Sequence, residues 1–295
     1  YATRWARHIP IVAGSERAYV TFLNQLRADS FDSMAKNLSA TGKVTDVEAK
    51  AIANFINVAT GRGKFGPKLE QATQALNTAF FAPKYVASRF QLLAGQPFYG
   101  GNARTRKAIA KEYARFLIGA GVVVGLAQLA GATVEDDPRS SEFAKIKVGN
   151  TRLDPFAGLS QTATLLTRVV TGKTVNSKGR EVALRVEPGE KKKFNQQTTA
   201  EVAGRFLRQK LSPAFGAAMD IATGTDVAGN PVTPLGSVAK LAVPLSFGDI
   251  KDAIQEQGYP KGMALSLAGL FGMGMSTYET GKRNQEPKEI WDFTR

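Results

Sequence analysis

Basic side chains are the residues whose type and spacing could do chemistry in this chain, and that chemistry is anion binding. No Asp or Glu occurs from Gln71 to Lys111, and aromatic residues are interspersed among the cations of that run. Cations beside rings are typical of surfaces that bind phosphates and stack bases, and also of the headgroup zone of a membrane. The alternative is that the rings form a core and the cations a solvated face. The cations are Lys84, Arg89, Arg104, Arg106, Lys107 and Lys111.

Four cations are spaced for one face of a helix. Arg104, Lys107, Lys111 and Arg115 follow one another at steps of three, four and four residues, which predicts a single charged stripe. A nucleic-acid backbone or an anionic lipid surface is the expected ligand, although a charge run is often only a solvated face. Two further basic clusters are Lys191, Lys192 and Lys193, and Arg205, Arg208 and Lys210.

The sequence offers little for catalysis. The single histidine, His8, has no partner that spacing identifies, and the absence of cysteine excludes thiol catalysis and cysteine-ligated metals. Gly61–Gly66 has the spacing of a dinucleotide-binding loop, but Pro67 follows it and no acidic residue stands at the required distance. The acidic run Glu135–Asp137 is better explained as a helix start than as a cation site. We therefore predict no enzyme activity, no cofactor and no metal.

Charge and composition point to an anionic partner. The 295 residues include 39 Lys and Arg against 25 Asp and Glu, a net charge of +14 and a pI near 9.9. A basic surface without a specific partner is the alternative. The hydrophobic fraction of 43% is that of an ordinary globular protein rather than a polytopic membrane protein. Because the chain starts at Tyr1, we expect it to be part of a longer polypeptide.

An uncharged stretch follows the basic stripe, from Phe116 to Val134. As a helix its 19 residues would extend roughly 28 Å, close to the thickness of a hydrocarbon core. Gly121 and Gly125 form a small-xxx-small pattern for close helix contact. We expect the helix to be buried under neighbouring helices or subunits in the assembled protein and exposed to lipid later. Its predicted contact residues are Phe116, Leu117, Gly121, Val123, Gly125, Leu126 and Leu129.

The elements that must position these residues are mainly helical. Apolar periodicity and helix-start signals predict many short to medium helices, with a minor β-hairpin region around 144–186. Three regions follow: a helical 1–137, a mixed 138–197 with short hairpins, and a helical 198–295 with a second apolar helix at 262–278 and a polar tail. The predicted helices include 15–38 with Ser15 as N-cap, 45–59, 68–82, 85–93, one starting near Ala103, one starting at Asp137-Pro138, 156–171, 199–211, 213–223, 245–257 and 263–278.

Several sequence motifs, taken in order, resemble those of a known group of proteins. The stretches "GSERAYVTFLNQLRAD", "NVATGRGKFG", "ALNTAFFAPKYVASRFQLL", "LAGATVEDDPRSSEFAKIKVGNTRLDP" and "GRFLRQKLSP" resemble a region found late in large polyvalent phage and prophage proteins and in internal virion proteins of tailed phages. The resemblance covers about residues 5 to 280 and carries no catalytic residues. It implies a protein that is packaged in the virion, delivered with the genome, and located in the host cell envelope after ejection.

Two functions are therefore expected. The first is a structural ejection protein that helps form a conduit for phage DNA. Its implied partners are double-stranded DNA, further copies of the chain, other ejection or portal and tail proteins, and lipids of the host inner membrane. The second is a soluble helical scaffold domain that organises neighbouring enzymatic domains in a polyvalent phage protein.

Overall fold

Helices dominate the part of the chain that the computed structural model describes, which is residues 10–176, 179–185, 196–226, 231–234, 236, 245–270 and 273–277. A small antiparallel β part accompanies them, so the prediction of a mainly α fold with a minor β-hairpin region is confirmed. The chain divides into two compact units, Tyr1–Gly119 and Ala120–Arg295, which we call unit 1 and unit 2.

Unit 1 is helical. Its helices are α1 (Pro10–Ser39), α2 (Asp46–Ala59), α3 (Pro67–Gln71), α4 (Thr73–Ala79), α5 (Pro83–Leu93), a 3-10 turn (Gln96–Phe98) and α6 (Ala103–Leu129), which contains the division between the units. The core beneath α1, α2 and α6 consists of Met34, Leu38, Ile52, Phe55, Ile56 and Ile109. Tyr113 of α6 adds a ring stacked on Phe55 at 5.8 Å between centroids, and burial raises its pKa to about 12.

Two predicted boundaries in unit 1 are wrong. Helix α1 begins at Pro10, a residue favoured at the first helical position, so Ser15 lies inside the helix and is not its N-cap. The predicted helix 68–82 is two short helices, α3 and α4, separated at Ala72. Pro83 begins α5 because the residue before a proline is disfavoured in the α-helical region, and Ala82 indeed turns to φ 48°.

Unit 2 combines five helices of the described chain with two small sheets. The helices are α7 (Leu159–Thr171), α8 (Thr199–Arg208), α9 (Pro213–Thr223), α10 (Leu245–Gln257) and α11 (Tyr259–Leu270). One sheet has the order β1-β2-β3-β6, and the other is the hairpin β4-β5. The strands are β1 (Thr133–Val134), β2 (Ile146–Val148), β3 (Thr151–Asp154), β4 (Lys173–Val175), β5 (Glu181–Ala183) and β6 (Gly274–Thr277).

The larger sheet is antiparallel throughout. Strands β2 and β3 form the predicted hairpin, whose turn places Gly149 at φ 56°, a value that favours glycine. Strand β6 returns from far along the chain and pairs with β3, with Leu153 opposite Met275. The buried carboxylate of Asp154 ends β3 and starts α7, because it accepts from the backbone N–H of Phe156 and Gly158.

The two predicted apolar helices are shorter than expected. Helix α6 ends at Leu129, since Gly131 adopts φ 89° and Ala132 leads into β1, so residues 130–134 are not helical. Helix α11 ends at Leu270, and Gly274–Thr277 form β6, where pairing with β3 replaces helical hydrogen bonds; the predicted end of that helix at Tyr278 lies outside the described residues. Within the described chain, no helix combines the length and apolar character needed to cross a bilayer.

A helix start was also predicted at Asp137-Pro138, and this is wrong. The segment forms turns, because the Asp137 carboxylate binds Arg139 instead of capping a helix. Nε and one terminal nitrogen of Arg139 donate to the two Asp137 oxygens at 3.0 and 2.8 Å. The Arg139 guanidinium also pairs with Glu181 of β5, which ties the turn to the small hairpin.

Candidate nucleic-acid interface

The predicted basic stripe lines a groove in unit 1. Arg104, Lys107, Lys111 and Arg115 lie on α6, and all four line one hollow of about 380 Å³ whose other wall is the end of α1. A rise of about 1.5 Å per residue puts the last three cations about 6 Å apart along the helix. The opposite wall consists of Met34, Asn37 and Leu38 of α1 and of Thr41 in the turn after it.

Arg104 is a structural residue rather than a free ligand for phosphate. Its guanidinium binds the buried carboxylate of Glu48 through two parallel hydrogen bonds of 2.9 and 2.8 Å, and also donates to the carbonyls of Gly42 and Lys43. Hydrogen bonds from Arg104 lower the pKa of Glu48 to about 2. Glu48 also completes the capping box of α2 with Thr45. The charge of Arg104 therefore fixes α6 to α2 in this structure, and its contact with a nucleic acid or anionic lipid stays a prediction.

Lys107 and Lys111 are the available cations of the groove. Both are exposed, and neither forms a hydrogen bond or ion pair with any residue of the described chain. Arg115 is also exposed, but it pairs with Glu112 at 2.5 Å, so part of its charge is compensated. Arg106 is exposed on the same helix without lining the groove. The groove therefore offers two uncompensated ammonium groups and one exposed guanidinium.

The other two predicted cations of unit 1 are engaged within the protein. Lys84 pairs with Glu70 at 2.6 Å, and this contact lowers the pKa of the Glu70 carboxyl. Arg89 is only 8% exposed, and its guanidinium lies 4.2 Å from the centre of the Tyr85 ring. Arg89 is therefore buried beside the ring of the exposed Tyr85, and its contact with a nucleic acid or anionic lipid stays a prediction.

Sequence reasoning missed a second cationic group in unit 1. Arg27 of α1 and Arg62 both donate to the side-chain oxygen of Asn24, at 3.1 and 2.9 Å. Arg27 also binds the hydroxyl of Thr60 at 2.8 Å. Burial, and next the charge of Arg62, lower the pKa of Arg27. No local sequence pattern indicates this pair, because the two arginines are separated by more than thirty residues of sequence.

A second hollow of about 400 Å³ adjoins the groove on the side of the Arg27 and Arg62 pair. It shares Met34, Glu112 and Arg115 with the groove and reaches Thr60, the residue that binds Arg27. Asp29 also lines it, so carboxylates stand between the two cationic groups. Unit 1 therefore carries two separate positive patches rather than one continuous track.

The basic residues predicted in unit 2 have structural partners in two cases. Arg208 donates to Asp220 at 2.9 Å and to Thr223, and so joins the ends of α8 and α9. Lys210 donates to Gln161 at 3.0 Å and stands 5.2 Å from the Phe206 ring; burial lowers its pKa. Arg205 is exposed on α8. Lys191, Lys192 and Lys193 lie outside the described residues, as does His8.

The apolar half of α6 is mostly exposed in the part of the chain that the structure describes. Ile118 is 66% exposed and Leu129 87% exposed, and only Ala120 among residues 116–129 is buried. A methyl group added at Gly121 or Gly125 would meet no atom of the described chain. The other described helices do not cover this segment, and the expected cover by neighbouring helices or subunits in the assembled protein stays a prediction. The other exposed side chains are Phe116, Leu117, Val122 and Leu126, and Val123 is half-buried.

No protein-family model matches the chain, and comparison with curated proteins and with solved structures finds no significant match.

Proposed function

We propose that this chain is a structural segment of an internal virion protein that binds double-stranded DNA during genome delivery. The groove between α1 and α6 contacts the phosphate backbone. This role combines the resemblance of the sequence to phage ejection proteins with the charge of unit 1. It locates the protein in the virion first and in the host cell envelope afterwards.

The observation that carries the proposal is the pair Lys107 and Lys111, exposed in a groove without partners in the described chain. Exposed ammonium groups without carboxylates are the groups that displace counterions from a duplex. Their surroundings strengthen the case, because residues 1–119 contain seventeen Lys and Arg against seven Asp and Glu. Unit 1 therefore contributes +10 of the net charge of +14.

The contacts proposed are to phosphates and not to bases. Lysines four residues apart on one helix face present charge along a line but no bidentate donors for base edges. We therefore expect binding that does not depend on DNA sequence, with a dissociation constant on the order of 10⁻⁴ to 10⁻⁶ M at physiological salt.

The exposed apolar side chains of α6 support the remaining partners of this proposal. A contiguous apolar surface on a helix marks a site of association. We propose that a second copy or another ejection, portal or tail protein covers it in the virion, and that lipid of the inner membrane contacts it after delivery. If lipid contacts this surface, the full chain should float together with vesicles of anionic phospholipid in a flotation assay. If the chain stays in the dense fraction, that part is wrong.

The DNA part is tested by fluorescence anisotropy of a labelled 30-base-pair duplex titrated with the full chain at 50 mM salt. We expect saturable binding that is equally strong for two unrelated duplex sequences and is lost at high salt. Absence of binding at 50 mM salt would remove the mechanism. A second labelled duplex with a GC-rich sequence serves as the control for base readout.

A helical scaffold in a polyvalent phage protein is the second candidate, and one observation favours it. Among the described residues, most of the cations suggested by the sequence are held by carboxylates or rings of the chain itself, as in Arg104 with Glu48 and Arg208 with Asp220. Such pairs stabilise a fold without needing an external anion. A chain that binds neither duplex DNA nor vesicles, and that sediments as a monomer, is the outcome expected for this candidate.

A further inference from the structure

Unit 2 contains a cleft that the DNA-binding proposal does not use. Its volume is about 370 Å³, within the range of about 300–1,000 Å³ that is usual for small-molecule sites. One wall is a face of α7, another is a face of α8, and the segment before β2 and a residue of β6 complete it. Among the described residues that line it there is no Asp or Glu, whereas three are cations: Lys145, Arg168 and Arg205.

Arg168 is the central cation of the cleft. Its Nε donates to the carbonyl oxygen of Arg139 at 2.7 Å, which fixes the side chain in place. Its two terminal nitrogens form no hydrogen bond with the described part of the chain, and no ion pair compensates its charge there. Burial, together with the charge of Arg205, lowers the pKa of Arg168. A half-buried guanidinium held in one orientation without a carboxylate is a preorganised donor for an anion.

Arg205 stands on the opposite wall. With the Gln197 amide turned so that its oxygen faces Arg205, that oxygen accepts from the two terminal nitrogens of Arg205 at 3.1 and 3.0 Å, and this neutral acceptor leaves the charge uncompensated. Two guanidiniums that face one cleft repel each other, and the repulsion grows as water is excluded. Lys145 is balanced at 3.6 Å by Glu142, which does not line the cleft. An anion bound between Arg168 and Arg205 would remove the like-charge repulsion.

The size of the cleft and the ring within it define the rest of the ligand. An inorganic phosphate would leave most of the volume empty. The Phe206 ring, with the Lys210 ammonium 5.2 Å from its centre, also lines the cleft and adds an apolar surface for a planar group, while Gln209 adds an amide. We propose that this cleft binds a phosphorylated small molecule of nucleotide size, with its phosphate between Arg168 and Arg205 and a planar group against Phe206.

Calorimetric titration of the full chain at constant ionic strength tests this proposal with three probes: AMP, inorganic phosphate and adenosine. We expect AMP to bind, phosphate to compete with AMP, and adenosine to bind far more weakly. Arg205→Gln and Arg168→Gln should each weaken AMP binding by about tenfold or more, because each removes charge-assisted hydrogen bonds. Arg180→Gln, an exposed arginine outside the cleft lining, is the matched control and should bind AMP like the wild type.

Three results would overturn the proposal. They are no heat with AMP or phosphate at millimolar concentration, undiminished AMP binding in both arginine variants, and adenosine binding as tight as AMP binding. Arg205 is exposed, so Arg205→Gln is expected to fold, and it carries the test if Arg168→Gln unfolds. Lys107→Gln/Lys111→Gln should keep full AMP affinity, so failure of the DNA proposal and failure of this one remain distinguishable.

Discussion

Replacing Lys107 and Lys111 together by glutamine removes two charges from the groove while leaving the core of unit 1 intact. Both side chains are exposed and without partners in the described chain, so the variant is expected to fold like the wild type. Arg115 remains as the third groove cation, and Arg104 is not counted because Glu48 holds its guanidinium. The change therefore reduces the number of phosphate contacts from three to one.

The magnitude follows from counterion release. Each neutralised phosphate contributes a slope of about −0.9 to the dependence of log K on log salt concentration. Three contacts predict a loss of about 40-fold in affinity between 50 and 200 mM salt, and one contact predicts a loss of about 3.5-fold. The double variant should therefore show a salt slope near −0.9 instead of about −2.7. Its affinity should be weaker at 50 mM and approach that of the wild type as salt rises.

Fluorescence anisotropy of a labelled duplex at four salt concentrations measures both slopes. The matched control is Lys50→Gln/Lys68→Gln, which removes two exposed lysines of unit 1 that do not line the groove. This control has the same net charge as the groove variant. If both double variants show equal slopes, the groove has no special role, and binding reflects only the total charge.

The remaining predictions concern the stability and association of unit 1. Because the pKa of Glu48 is about 2 in the folded protein, well below the ordinary value of a glutamate carboxyl, its contribution to stability is complete above about pH 5 and is lost as pH falls toward 2. Arg104→Gln should flatten that acid dependence of the urea midpoint. Thr45→Ala removes the N-cap of α2 and should cost about 1 kcal/mol in the free energy of unfolding. Ile118→Lys/Leu126→Lys should abolish any self-association seen by sedimentation velocity, because it places two charges on the exposed apolar surface of α6.

Each of these has a clear contrary result. An unchanged acid dependence in Arg104→Gln would show that Glu48 is not the titrating group. A Thr45→Ala variant with wild-type stability would mean that water replaces the cap without cost. A wild-type chain that is monomeric at every concentration would remove the second-copy part of the proposal for α6.

The elements of the fold were predictable where local signals agreed. The capping box at Thr45 predicts the start of α2, and Ser212-Pro213 predicts the start of α9, because capping depends on residues three or four apart. Boundaries failed where a distant partner decides the structure. The residues of strand β6 were predicted as part of an apolar helix, because the local sequence pattern does not show that they pair with β3. The helix start predicted at Asp137 failed for a local reason, because its carboxylate binds Arg139, two residues further on, instead of capping a helix.

The sequence predicted where the basic stripe lies, but not which of its cations are available to a ligand. Helical spacing places the stripe on one face of α6, and the structure places its four cations in one groove. Which of them are free depends on carboxylates elsewhere in the sequence. Glu48 lies more than fifty residues before Arg104, so an acid-free run in the sequence does not imply an acid-free surface. The guanidinium pair of Arg27 and Arg62 was missed for the same reason.

The pairing of β6 with β3 has a consequence for the synthesis of the protein. Thr151 and Thr277, whose hydroxyls lie 3.0 Å apart, are separated by 126 positions. At about 5 to 20 residues per second, a ribosome needs roughly 6 to 25 s to make the chain between them. During that interval β3 is paired only with β2, and its other edge is open to strands of other nascent chains. The core of unit 1 closes sooner, because Ile109 of α6 follows Met34 of α1 by 75 positions. Translation speed and chaperone capture therefore matter more for unit 2 than for unit 1.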